Sequence, residues 1–227
     1  MSPLTPYLAL ALFPVTFLVG FVCNPIEFSW SFHHGLKPMP EETRDRAERI
    51  NRYLNLLVAT LDVGFVWALT LKSSVPPGRV GLNPENWKSN AAVGAGAGIL
   101  LIGAQALIVK LSSINSRHPF GYRVRRGSPL LWVIILIAGA FSEELWVAFC
   151  LVAFETTRHS ASTSVAATVI VLAVVHYGYG LGGAAAVALK GTISALFFLR
   201  YRSLIVPFSF HFVGNLGSFY WHRYWHR

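Results

Sequence analysis

Several polar side chains interrupt the apolar segments of this chain, most of them in its second half. They are Asp62, Glu143, Glu144, His176, Lys190, His211 and Asn215. A charged side chain at the centre of a membrane helix costs about 2.5–3.5 kcal/mol on insertion scales, so such residues face a partner or a water-filled cavity. Carboxylates and imidazoles are also the groups that move protons or bind metals in enzymes. The set therefore indicates a catalytic or metal-binding site, with helix-to-helix ion pairs as the plainer alternative.

The two adjacent glutamates cannot play the same part. Neighbouring residues on a helix point about 100° apart, so we predict that Glu143 faces a cavity as a general base while Glu144 is held by a hydrogen-bond donor. His211 and Asn215 are one turn apart and share a helix face. Both can donate hydrogen bonds, so together they could hold an oxyanion. His176 could orient a water molecule or bind a metal.

The composition places these residues in a membrane protein. The chain has 227 residues, of which 54% are hydrophobic and 13% charged, and its mean hydropathy is +0.50. A soluble domain carries roughly 25% charged residues. The net charge of +9 does not indicate a nucleic-acid partner, because the basic residues fall between apolar runs, as in cytoplasmic loops of membrane proteins. We predict a single all-α membrane domain over residues 1–227, with the lipid bilayer as its surroundings.

A membrane-crossing helix needs about 20 apolar residues. This predicts a polytopic bundle of about seven transmembrane helices, at residues 4–22, 53–71, 90–111, 129–154, 163–180, 183–199 and 203–221. Residues 40–52 predict an interfacial helix that runs into the second span, since acidic and basic residues alternate there at one-turn spacing. Gly94, Gly96 and Gly98 predict a close helix approach.

The distribution of basic residues predicts the orientation. With the N-terminus outside the cell membrane and the C-terminus in the cytoplasm, the cytoplasmic segments carry about twice as many lysines and arginines as the outer ones. The first span has no basic segment before it and no small-residue cleavage site, so we expect it to be retained. Cys23 and Cys150 lie at or within apolar runs and are expected to be unpaired hydrophobic residues.

The polar residues, taken in order along the chain, resemble the motifs of a known family. The type II CAAX prenyl endopeptidases and bacteriocin-processing intramembrane proteases carry the motifs EExxxR, FxxxH and HxxxN in this order. The chain has Glu143-Glu144 with Ala148 in place of the arginine, Leu172 in place of the phenylalanine before His176, and His211 with Asn215. The resemblance covers residues 125–220, which would form the motif-bearing catalytic core, while residues 1–124 supply N-terminal helices and loops.

The resemblance implies an intramembrane endopeptidase that hydrolyses a membrane-associated or prenylated peptide. Glu143 would activate water, His176 would help to hold it, and His211 and Asn215 would stabilise the oxyanion. A metalloprotease with zinc on Glu143, His176 and His211 is the other chemistry open to this pattern. We favour the metal-free glutamate type, because the sequence lacks three clear zinc ligands at a recognised spacing.

The missing arginine raises two further expectations. An arginine at position 148 would lie one turn from Glu144 and could neutralise it, so we predict that Lys190 takes its place, with Asp62 as a rival partner for this lysine. Alternatively, Ala148 marks a catalytically inactive scaffold or immunity-type protein with the same fold. A small transporter is disfavoured, because the chain shows no inverted repeat.

Overall fold

The computed structural model describes residues 4–22, 33, 40–73, 75–112, 128–176 and 180–224. Within these residues the chain is helical and forms no strand, which confirms the predicted all-α class. The described helices are α1 (Thr5–Val22), α2 (Glu41–Lys72), α3 (Trp87–Ser112), α4 (Pro129–Thr156), α5 (Ala161–Val175), α6 (Gly180–Tyr201) and α7 (Ile205–Tyr224), with a short 3-10 helix at Pro77–Val80. Cys23 and most of the predicted 112–128 loop lie outside the described residues.

Membrane-spanning character is clearest in three helices. Among the described residues, Asp45–Lys72 in α2, Pro129–Thr156 in α4 and Ala184–Tyr201 in α6 are long and apolar enough to cross a bilayer. The apolar stretch Thr5–Thr16 and helix α5 are shorter. The chain is therefore a membrane protein, while the number of seven spans stays a prediction.

The helix bounds agree with one prediction and correct another. Residues 40–52 are helical and continue without a break into the second predicted span as the single helix α2, as predicted. Helix α5 ends at Val175 and not at residue 180, so His176 lies at the end of the helix and not inside it. Gly178 and Gly180 follow directly in the sequence, and glycine is a poor helix former because it loses the most backbone entropy on folding.

Helix α4 is the centre of the bundle and carries both glutamates. It packs against α1, α2, α5, α6 and α7, and every residue from Glu144 to Phe154 is buried. A helix that is apolar on all sides is expected to be surrounded by other helices or lipid. The polar pair at positions 143 and 144 is thereby placed where several helices meet.

Helix α3 lies along α7 at glycine contacts. A Cβ atom at Gly94 would overlap the backbone oxygen of Val206, and one at Gly98 would lie 2.9 Å from the backbone oxygen of Phe210. At Gly96 no described atom lies within 4 Å of such a Cβ. Close approach is therefore confirmed at two of the three predicted glycines, and it fixes the position of α7, which carries His211 and Asn215.

The difference between these glycines gives a matched pair of substitutions. We expect Gly94→Ala to lower the free energy of unfolding by about 1–3 kcal/mol, because an added methyl group forces two backbones apart. Gly96→Ala should leave it unchanged or raise it by up to about 1 kcal/mol through helix propensity. Thermal unfolding of both variants in one detergent measures this. Equal stability of the two variants would contradict the α3–α7 contact.

The ends of α4, α6 and the 77–84 segment are joined by hydrogen bonds and an ion cluster. The Leu204 N–H donates to the Gly81 carbonyl at 3.0 Å, and Gly81 has a φ of +83° that favours glycine. Arg202 donates to both carboxylate oxygens of Glu155 at 2.8 and 3.0 Å, and Arg79 lies 3.6 Å from this carboxylate. These contacts hold the turn before α7 against the end of α4.

Candidate active site

Helices α4 and α7 meet at a carboxylate–imidazole contact. His211 Nδ1 and Glu144 Oε1 are hydrogen-bonded at 2.6 Å, and both side chains are only 3% exposed. Glu143 Oε1 lies 3.9 Å from the same nitrogen, and its side chain is 14% exposed. The structure thus brings the first and third sequence motifs together and makes Glu143 the more accessible of the two glutamates.

Glu144 is held by a second donor from α6. The Ser194 hydroxyl, which is fully buried, donates to Glu144 Oε1 at 2.9 Å. The other carboxylate oxygen, Oε2, is buried and has no hydrogen-bond partner among the described residues. Ala148, which stands where the family motif has arginine, is buried as well. The two glutamates thus lie in different environments, with Glu144 held by donors as predicted and Glu143 partly accessible.

Lys190 does not take the position of the missing arginine as predicted. Its ammonium group donates to Asn215 Oδ1 at 2.9 Å, whereas Glu144 contacts His211 and Ser194. Lys190 and Ser194 lie one turn apart on α6. Ser194 contacts Glu144 on α4, whereas Lys190 contacts Asn215 on α7. The charge of Lys190 acts on both glutamates at longer range.

The rival partner for Lys190, Asp62, is bound elsewhere. The Thr16 hydroxyl of α1 lies 2.5 Å from Asp62 Oδ1, and both side chains are buried. The Asp62 carboxyl group is near enough to Glu143 for their charges to interact. Helices α1 and α2 therefore place a third carboxyl group, that of Asp62, beside Glu143 and Glu144.

His176 lies at the end of α5 and reaches the same region. Its Nδ1 donates to the Leu172 carbonyl at 2.8 Å, and its charge can interact with that of His211. The imidazole ring lies 6.5 Å from the Phe13 ring, at an interplanar angle of 27°. The backbone hydrogen bond and the aromatic ring of α1 restrict the orientation of His176.

Comparison with known proteins agrees with these motifs. Residues 125–217 match the family model described as type II CAAX prenyl endopeptidase, Rce1-like. The chain carries an Rce1-like segment. This confirms the resemblance stated from the sequence and supports a protease function at the level of the family. No curated protein and no solved structure matches the chain.

Leu172, which stands where the family motif has phenylalanine, is explained by its packing within the Rce1-like segment. Leu172 is buried, and its Cδ2 would lie 2.6 Å from a Cβ atom placed on Gly191. The leucine side chain therefore packs directly on the backbone of α6, beside Lys190. A leucine supplies the apolar contact between α5 and α6 at the place where the family motif has phenylalanine.

The residues of the Rce1-like segment do not fit the zinc alternative. Among the described residues, no group of three or more His, Cys, Asp and Glu side chains converges in a metal-binding arrangement. The proposed zinc ligands Glu143, His176 and His211 are therefore not supported as a metal site.

Three residues of this region were missed by the sequence reasoning. Ser194 could have been found, since it lies one turn from Lys190 in an apolar helix and a buried hydroxyl needs a partner. Thr16 and Phe13 lie in α1, outside the Rce1-like segment. Phe13 also stacks on Trp146, with ring centroids 4.7 Å apart, and Trp146 Nε1 donates to the Ala9 carbonyl at 2.7 Å. Helix α1 therefore packs against the site through contacts that none of the three family motifs predicts.

Proposed function

We propose that the protein is an intramembrane endopeptidase that hydrolyses a peptide bond of a membrane-associated or prenylated peptide. The observation that carries this proposal is the position of Glu143 beside the buried Glu144–His211 pair, with 3.9 Å between Glu143 Oε1 and His211 Nδ1. These residues belong to the Rce1-like segment. They supply a carboxylate that can take a proton and an imidazole that can bind an oxyanion.

Glu143 is the general base of the proposed reaction. It takes a proton from water, and the water oxygen attacks the carbonyl carbon of the substrate. Glu143 then returns this proton to the amide nitrogen, the C–N bond breaks, and a carboxylic acid and an amine leave. His176 helps to hold the attacking water. A positioned base of this kind contributes about 10²–10⁴-fold to a reaction rate.

His211 and Asn215 donate to the oxyanion of the tetrahedral intermediate. Because His211 Nδ1 is bonded to Glu144, the ring must also carry a hydrogen on Nε2 to donate a second hydrogen bond. With Nε2 protonated and one further proton shared between His211 Nδ1 and Glu144, the pair carries no net charge. A neutral pair costs less free energy in an apolar surrounding than an unpaired buried carboxylate. In this proposal Glu144 and Ser194 hold the oxyanion donor and do not touch the substrate.

The topology forms part of the same proposal. Seven membrane spans, with the N-terminus outside the cell membrane and the C-terminus in the cytoplasm, are supported by the seven described helices and by the excess of basic residues on one side. The three helices long enough to span the membrane account for part of this number. The whole chain forms one membrane domain, in which residues 125–220 carry the catalytic residues.

The proposed function is tested by a cleavage assay. Purified protein in nanodiscs is incubated with an internally quenched peptide that ends in a CAAX sequence, in prenylated and in unprenylated form. Fluorescence gives the rate, and mass spectrometry gives the bond that is cut. Cleavage supports the proposal. The ratio of the rates for the prenylated and unprenylated peptides measures the contribution of the lipid. Binding without cleavage would favour an inactive scaffold, which is the alternative indicated by Ala148 and by a Glu144 Oε2 atom that has no hydrogen-bond partner among the described residues.

Metal dependence is tested in the same assay. We expect the rate to be unchanged by EDTA or 1,10-phenanthroline, because the proposed step uses Glu143, His176, His211 and Asn215 with water alone. Pre-incubation for several hours controls for slow metal release from a buried site. Activity that disappears with a chelator and returns with added zinc would contradict the metal-free reaction.

A further inference from the structure

Lys190 contacts one defined end of the Asn215 side chain. The ammonium nitrogen of Lys190 lies 2.9 Å from Asn215 Oδ1, and this bond joins α6 to α7. A lysine ammonium has three hydrogen-bond donors and no acceptor. Only the oxygen end of the amide can face it favourably, so the Nδ2 group of Asn215 is turned the other way.

We propose that Lys190 is a positioning residue, which fixes the Asn215 amide so that its Nδ2 group donates to the reaction's oxyanion. This inference rests on the proposed function. The terminal torsion of asparagine is broad and roughly two-fold, so an unrestrained amide could present either end to the site. An amide oxygen facing the oxyanion would repel the charge that Nδ2 stabilises.

The surroundings of Lys190 support a role beyond charge balance. Lys190 is half-buried in α6, where an ammonium without a partner is costly. Glu143 and Glu144 lie near enough for their charges to offset that cost. Neither glutamate, however, lies within salt-bridge distance of Lys190, and its direct hydrogen bond goes to the neutral amide. A lysine that only balanced charge would gain more by contacting a carboxylate directly.

A double-mutant cycle separates orientation from charge. Asn215→Ala should lower kcat by about 10²–10³-fold, the loss found for one oxyanion donor. Lys190→Met should lower kcat by about tenfold or more with little change in KM, because only the transition state carries the oxyanion. The double variant should be no slower than Asn215→Ala within about threefold, because Lys190 acts through Asn215. The same cleavage assay, with the prenylated CAAX peptide, gives all values.

Lys190→Arg and Lys72→Met are control variants for this cycle. Lys190→Arg keeps a charged donor and should restore part of kcat, whereas Lys72→Met removes an exposed lysine at the end of α2 and should have no effect. Losses that multiply in the double variant would overturn the inference, because Lys190 would then act independently of Asn215. An Asn215→Ala variant with full activity would instead overturn the proposed oxyanion site itself.

A fold-preserving variant covers the case in which Lys190→Met does not fold. Asn215→Asp keeps an oxygen for Lys190 and should give a folded protein, but it replaces the donating nitrogen with a second oxygen. We expect it to lose at least as much kcat as Asn215→Ala. Retained activity in Asn215→Asp would show that the nitrogen end does not face the reaction, and the inference would be wrong.

Discussion

Glu143→Gln should remove nearly all cleavage activity without unfolding the protein. Glutamine has the shape of glutamate but cannot take a proton from water, so we expect kcat to fall by about 10²–10⁴-fold, the usual contribution of a positioned base. Glu143 is partly accessible, and its nearest ion-pair partner, His211 Nδ1, is 3.9 Å away. The substitution therefore breaks no direct hydrogen bond of the described structure. Initial rates of peptide cleavage and thermal unfolding of the same preparation are the two measurements.

Two other carboxylates on α4 serve as controls for this prediction. Glu155→Gln removes an exposed carboxylate bound by Arg202, and it should leave kcat unchanged and cost at most about 1 kcal/mol of stability. Glu144→Gln keeps an oxygen that can accept from Ser194 but removes the carboxyl group that shares a proton with His211, so its loss of kcat should be intermediate. Full activity in Glu143→Gln would exclude Glu143 as the base.

The sequence was sufficient for the parts of this site that depend on one helix at a time. The 100° offset between Glu143 and Glu144 predicted two different environments, and one is buried while the other is partly accessible. Gly94, Gly96 and Gly98 predicted a close helix approach, which α7 makes at Gly94 and Gly98, one turn apart. Such inferences depend only on helix geometry, which is the same wherever a helix lies.

Contacts between helices were not predictable in the same way. Whether Lys190 meets Glu144 or Asn215 depends on the rotation of α6 relative to α4 and α7, and no local pattern encodes this rotation. The aromatic contacts of α1 present a second difficulty. In a membrane protein, side chains that face lipid and side chains that face other helices are both apolar, so Phe13 could not be assigned to the site from its residue type.

His211→Leu should be the most destabilising single substitution in the site. It removes the hydrogen-bonded partner of Glu144 and leaves a carboxyl group whose side chain is 3% exposed, with the Ser194 hydroxyl as its remaining described donor. A buried hydrogen-bonding group that loses its partner costs about 1–3 kcal/mol, and more if the group is charged. A large decrease in the thermal unfolding midpoint, measured in one detergent beside the unsubstituted protein, is the expected result.

The double variant Glu144→Leu/His211→Leu distinguishes this cause from lost packing. Buried ion pairs replaced by apolar residues of similar volume are often as stable as the original or more stable, by about 1–4 kcal/mol, so the second substitution should recover much of the stability that the first one loses. Both variants should be inactive. If His211→Leu alone is as stable as the unsubstituted protein, the contact with Glu144 does not stabilise the fold, and the proposed oxyanion donor loses its physical basis.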